Sequence, residues 1–129
     1  MKIKLNSVLV EDQTRALKFY TEVLGFVKQL EIPMGEYRWI TVTSPEEPQG
    51  AAISLEPNAN PAGKTFQEAM FKQNIPITAF EVSDLTLEFK RLRGQGVVFT
   101  QEPMDAGPLK IAVFSDTCGN LIQIYQLQG

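Results

Sequence analysis

From its first residues the chain alternates. Ile3, Leu5, Ser7 and Leu9 fall on one side of an extended segment, so residues 2–10 are expected to form a β-strand. The period then changes. Ala16, Leu17, Tyr20, Val23 and Leu24 recur at helical spacing between Asp12, a good N-cap, and Gly25, a good helix stop, which predicts a helix over 13–24. Three strands follow over 26–32, 36–43 and 50–56, separated by the breakers at 33–35 and 44–48. Residues 57–63, rich in Pro, Asn and Gly, read as a connector. Residues 65–72 read as a short helix burying Phe66, Met70 and Phe71. The pattern then begins again, with a strand over 76–82 and a helix behind Asp84 whose apolar face is Leu85, Phe89 and Leu92. That helix ends near Gly94 and Gly96, and strands follow over 97–100, 109–114 and 121–127.

The second half repeats the first. Val10-Glu11-Asp12 matches Val82-Ser83-Asp84 at an offset of 72 positions, and each Asp opens a helix that stops at a glycine before a Val/Phe-rich strand. The expectation is an α+β chain of two tandem βαβββ modules in a single domain over residues 1–129. Module one covers about 1–57, a linker about 57–75, and module two about 76–129. One module alone leaves a sheet face uncovered, so the two are expected to pack as one body.

Composition narrows the chemistry. A chain of 129 residues that is 43% hydrophobic can build a core, and its net charge of −3 offers no basic footprint for nucleic acid. No apolar run is long enough to cross a bilayer, and Glu11 and Asp12 interrupt any leader-like stretch. One cysteine, Cys118, cannot form an internal disulfide, which suits a reducing cytoplasm. The chain has no histidine. Ser–His and Cys–His nucleophile pairs are therefore excluded, as is any metal site that uses imidazole. Cys118 also lacks an activating neighbour in sequence, and reads as a small turn residue.

The closing stretch VFSDTCGNLIQIY (113–125) reads as a hairpin, with Asp116 and Asn120 shaping its loop through local bonds. Gln123 is a polar residue inside its apolar second arm and needs either a partner or a cavity. Alternation places Ser54 and Gln123 with Leu5, Ile77 and Ala79 on cavity-facing positions; the alternative is a filled core in which Gln123 bonds Ser54 or backbone. Tyr37 and Trp39 point the same way, Tyr125 shares the side of Gln123, and these aromatics are candidates to stack on a flat ligand, with Phe99 a weaker one. Glu56 and Glu81, near strand ends, read as solvated carboxylates or as rim partners for a cationic ligand.

VLVEDQTRALKFYTEVLGF (8–26), FEVSDLTLEFKRLRGQG (80–96) and VFSDTCGNLIQIY, together with the duplication, resemble the vicinal oxygen chelate superfamily: glyoxalase I, bleomycin-resistance proteins and extradiol dioxygenases. The resemblance implies an incomplete barrel of two βαβββ modules around a cleft, and a homodimer. Catalytic members of the family hold a divalent metal with side chains from the first and fourth strand of each module. Here those positions fall on Leu5, Ser54, Ile77 and Gln123. Two of these have no donor atom and none carries charge, so neither a metal nor any other cofactor is expected, and no catalytic residue is assigned. The leading expectation is metal-independent binding or sequestration of a small organic molecule, aromatic or cationic. Its ligand-binding cleft would use Gln123, Ser54, Trp39, Tyr37, Tyr125, Leu5 and Ile77. The alternative is a metal-dependent lyase, isomerase or dioxygenase with unconventional ligands, and a third reading is an interaction module that keeps only the dimer.

Overall fold

Two aspartates set the frame of each half. The Asp12 carboxylate accepts a hydrogen bond from the Arg15 amide at 2.9 Å and starts helix α1 (Gln13–Lys18). Asp84 does the same through the Leu87 amide at 3.0 Å for α3 (Leu85–Gly94). The backbone hydrogen bond from Arg15 is the main reason the Asp12 carboxyl is held below its ordinary value.

The computed structural model describes residues 1–128, and the chain divides into two compact units, residues 1–66 and the chain from Gln67 onward. The first unit contains β1 (Leu5–Val10), α1, β2 (Val27–Met34), β3 (Tyr37–Thr43) and β4 (Ala52–Pro57). Helix α2 (Pro61–Lys72) crosses the boundary. The second unit continues with β5 (Thr78–Glu81), α3, β6 (Phe99–Ala106), β7 (Leu109–Ser115) and β8 (Leu121–Leu127). The first sheet runs β1-β4-β3-β2 and the second β5-β8-β7-β6. In each, the outer strand pairs in parallel (β1 with β4, β5 with β8) and the other neighbours are antiparallel. This is the expected α+β architecture of repeated βαβββ units, each sheet open rather than closed into a barrel.

In the first unit Val8, Val10, Ile40, Val42 and Leu55 are buried on the sheet face that carries α1, with Ala16, Phe19 and Tyr20. The helix departs from the single α-helix expected over 13–24. It is α-helical only to Lys18 and then widens into a π-helical turn at Phe19–Val23, where the Leu24 amide reaches back to the Phe19 carbonyl at 3.0 Å. The wider turn buries Phe19 beside Tyr20, edge to face at 5.8 Å, and Tyr20 stacks on Phe26. A strict 3.6-residue period does not bring both rings to the sheet.

In the second unit Leu85, Phe89 and Leu92 are buried as the helical spacing predicts. Phe99 closes an aromatic chain, 4.7 Å from Phe89 and 5.6 Å from Phe114. It is therefore part of the helix-covered core and not a ligand-stacking ring. Helix α2 also begins earlier than the expected 65. Asn60 accepts from the Ala62 amide at 2.9 Å, and Pro61 occupies the first helical position, where its missing N–H costs nothing. The Asn-Pro pair that read as loop is a cap and a start. On this helix Phe66 and Phe71 are exposed and Met70 is half-buried, contrary to the expected buried set; Gln67 is buried instead. The strand expected from residue 2 begins at Leu5, and the one expected over 97–100 extends to Ala106.

Candidate functional site

Cross-strand register decides which side chains share a face. In the first sheet Leu5 pairs with Ala52, Ser7 with Ser54 and Leu9 with Glu56. Thr41 pairs with Ser54, Trp39 with Ile32, and Tyr37 with Met34. The face opposite α1 thus has a polar centre of Ser7, Thr41 and Ser54. Around it lies a margin of exposed apolar side chains, including Leu5, Ile32, Met34, Tyr37 and Trp39. Thr41 donates to Gln29 at 2.9 Å, and Ser7 donates to the Glu56 carboxylate. Gln29 is available because β2 bulges there, shifting register between Lys28 and Leu30.

Ser54 differs from its neighbours. It is only 1% exposed, and its hydroxyl makes no hydrogen bond among the described residues. A buried hydroxyl without a partner costs on the order of 1–3 kcal/mol, so its retention on a sheet face needs a reason. The opposite face holds its charges in pairs. Glu31 accepts from Lys28 at 2.9 Å and from Arg38 at 2.6 Å, and these bonds, that of Lys28 first, lower its carboxyl below the ordinary value.

In the second sheet Gln123 lies between Ala79 and Val113, and Tyr125 between Glu81 and Ile111, all on the face away from α3. The Gln123 amide is half-buried and has no side-chain hydrogen bond among the described residues. Ile77 stands just before β5, its amide bonded to the Leu121 carbonyl at 2.9 Å. The candidates therefore divide: Leu5, Tyr37, Trp39 and Ser54 come together on the first sheet, Gln123 and Tyr125 on the second, with Ile77 at its edge.

The loop before β8 is built as its residue types imply. Asp116 is buried and accepts from the amides of Cys118 at 2.8 Å and Asn120 at 3.1 Å, and from the Asn120 side chain at 2.8 Å. Gln67 of α2 adds bonds to Asn120 and to the Cys118 carbonyl. Cys118 is a fully buried thiol within this loop, which is not how a reactive thiol is placed.

Among the described residues, the buried polar side chains Gln13, Thr41, Thr43 and Gln67 escaped the reading of the sequence. A signal existed for Gln13: its counterpart 72 positions on is Leu85, so a polar residue occupies a core position of the repeat.

With these faces defined, the relatives can be placed. The sequence pattern of the Glyoxalase/Bleomycin resistance protein/Dioxygenase superfamily matches residues 3–124. The chain belongs to this superfamily. It is 52% identical over 126 residues to the protein YurT of Bacillus subtilis (strain 168), covering 98% of this chain and 99% of that one. Among solved structures it resembles UcmS2, with 31% identity, a TM-score of 0.83 and 97% of both chains covered. It also resembles TnmS3, an antibiotic binding protein from Streptomyces sp. CB03234, with 25% identity, a TM-score of 0.79, and 99% of this chain and 97% of that chain covered.

Superfamily membership raises the question of a divalent metal. The four corresponding positions carry two aliphatic side chains (Leu5 and Ile77), one hydroxyl (Ser54) and one amide (Gln123). In either unit a divalent cation losing its water would meet at most one neutral oxygen donor, Ser54 or Gln123, and no charge at these positions, so the residues do not fit one. Among the described residues no group of three Asp, Glu, Cys or His side chains gathers to supply a substitute. No helix among the described residues is long and apolar enough to cross a membrane.

Proposed function

We propose that this protein binds a small, planar organic molecule, neutral or cationic, on the sheet face of the first unit that carries Ser54, Trp39 and Tyr37; Gln123 and Tyr125 line the corresponding face of the second unit. It acts by sequestering that molecule, without a metal and without changing it. The observation that carries the reading is the Ser54 hydroxyl, buried and unpartnered at the centre of a face framed by aromatic and aliphatic side chains. An apolar surface with a few placed polar atoms is how small-molecule sites are built. Charge supports the ligand class. By register, neither face carries a lysine or arginine, and each carries one carboxylate, Glu56 and Glu81. An anion would find no cationic partner there. The likeness to TnmS3, an antibiotic binding protein, points the same way. Resemblance to the family adds a homodimer as the working form, and a single cysteine kept as a buried thiol supports a cytoplasmic location.

Trp39 is the sole tryptophan, so its emission reports on the first face directly. Proflavine, a planar cation, is expected to quench it and to raise the melting temperature; anilinonaphthalenesulfonate, an aromatic anion, is expected to do neither. Binding of proflavine that requires added Mn, Ni or Zn would replace this reading with the metal-dependent alternative.

A further inference from the structure

The two sheets share strand order but differ at one seam. In the second, β7 and β8 pair along their whole length, from Leu109 with Leu127 to Ser115 with Leu121. In the first, β3 and β4 pair only from Thr41 with Ser54 to Thr43 with Ala52. Continued, that register would set Arg38 against Pro57, which has no N–H to donate to the Arg38 carbonyl. The opened stretch of β3, residues 37–40, still pairs with β2 on its other side.

Gln13 fills the opening. It is 7% exposed, and its side-chain amide donates to the carbonyls of Arg38 at 2.5 Å and Leu55 at 2.8 Å while accepting from the Arg38 amide at 3.0 Å. One side chain thus takes the place of the strand partner that β4 does not supply to Arg38. Thr14, the next residue, accepts from the Arg38 guanidinium. That second bond has a twin: Lys110 donates to Thr86 at 3.1 Å, both partners lying 72 positions on. The Gln13 bonds have no twin. Leu85 stands at the matching helix position, and the glutamine is on the strand instead: Gln126, 69 positions after Pro57, accepts from the Leu85 amide at 2.8 Å. The helix–strand pair Gln13 and Pro57 of the first repeat is Leu85 and Gln126 in the second.

Arg38 lies between Tyr37 and Trp39, and alternation sends their side chains to the opposite face. A backbone clamped at Arg38 therefore sets where those two rings stand. We propose that Gln13 is a positioning residue, which holds the β3–β4 seam open and so fixes Trp39 and Tyr37, and the distance from Trp39 to Glu56 across the seam, for ligand selection. This use of the seam rests on the binding role proposed above; the clamp itself does not.

The test compares wild type, Gln13→Leu (the residue of the other repeat) and Thr14→Val (which leaves the backbone clamp intact), all as the full chain. Readouts are the melting temperature, acrylamide quenching of Trp39, and proflavine affinity. In a Gln13→Leu protein that still melts cooperatively, Trp39 is expected to become more accessible to acrylamide. Proflavine binding should weaken about tenfold, the equivalent of one hydrogen bond of preorganisation, with Thr14→Val unchanged in both. Unaltered Trp39 quenching in folded Gln13→Leu overturns the proposal. If Gln13→Leu does not fold, amide exchange in the wild type decides. Protection of the Arg38 amide equal to that of the paired strand residues Val42 and Ile53 supports the clamp, and rapid exchange overturns it. A wild type that binds no proflavine removes the binding role while the quenching and exchange results still judge the clamp.

Discussion

Ser54 is the residue whose replacement separates stability from function. Its hydroxyl is buried without a partner, so Ser54→Ala removes a desolvation cost and leaves only a small void. We expect stability unchanged or raised by up to about 1 kcal/mol, together with weaker proflavine binding; a clear loss of stability would mean that the hydroxyl is satisfied in solution. The carboxylates of Asp12 and Glu31 act through pH. Both are depressed in the folded chain, so their stabilisation is complete at neutral pH. It begins to fade as pH falls past the ordinary values of 3.8 and 4.5, and is gone below the depressed ones. The urea midpoint of Asp12→Asn/Glu31→Gln should accordingly fall less steeply with acid than that of wild type. Equal slopes would show that other groups govern the acid limb. Asp12 was legible as a cap from its place before an apolar helical stripe. Glu31 was not: Lys28 shares its face only because β2 bulges between them, and Arg38 meets it only once β2 and β3 are paired.

Among the elements, the loop between β7 and β8 depends most on one side chain. Asp116 accepts from the backbone amides of Cys118 and Asn120 and from the Asn120 side chain, and Asp116→Ala removes the acceptor of all these bonds. We expect a loss of about 3 kcal/mol, read as a lowered urea midpoint, with Asn120→Ala costing less because it leaves the two backbone donors bonded. The Asp and Asn were recognisable as loop-shaping residues because their bonds are local. The Gln67 bonds to the same loop span more than fifty positions. No window along α2 marks Gln67 as buried while Phe66 and Phe71 stay exposed; tertiary contact has overruled the apolar pattern there. The π-helical turn is a comparable case, since its sequence fits an α-helix equally well.

At the scale of the whole molecule, the proposal of binding without a metal rests on the donor set. Exhaustive dialysis against EDTA should change neither the melting temperature nor proflavine quenching of Trp39, whereas a metal-dependent protein would lose one or both. The homodimer proposed from the family is open to light scattering of the eluted protein, where a mass near 14.4 kDa would count against it.

The sequence by itself determined the repeat, the capping of two helices, the alternation of strands and the absence of histidine. Each of these lies in residue type and spacing within one segment, which is where local physics acts. Only the tertiary structure decided the rest: which strands pair, that β3 and β4 part beside Pro57, that Gln13 enters the gap, and that Ser54 is left without a partner. Those features depend on groups brought together from distant positions, forty-two residues apart for Gln13 and Leu55 and forty-seven for the strand partners Ser7 and Ser54. Contact between such distant groups follows from the packing of the folded chain, and no local period records it.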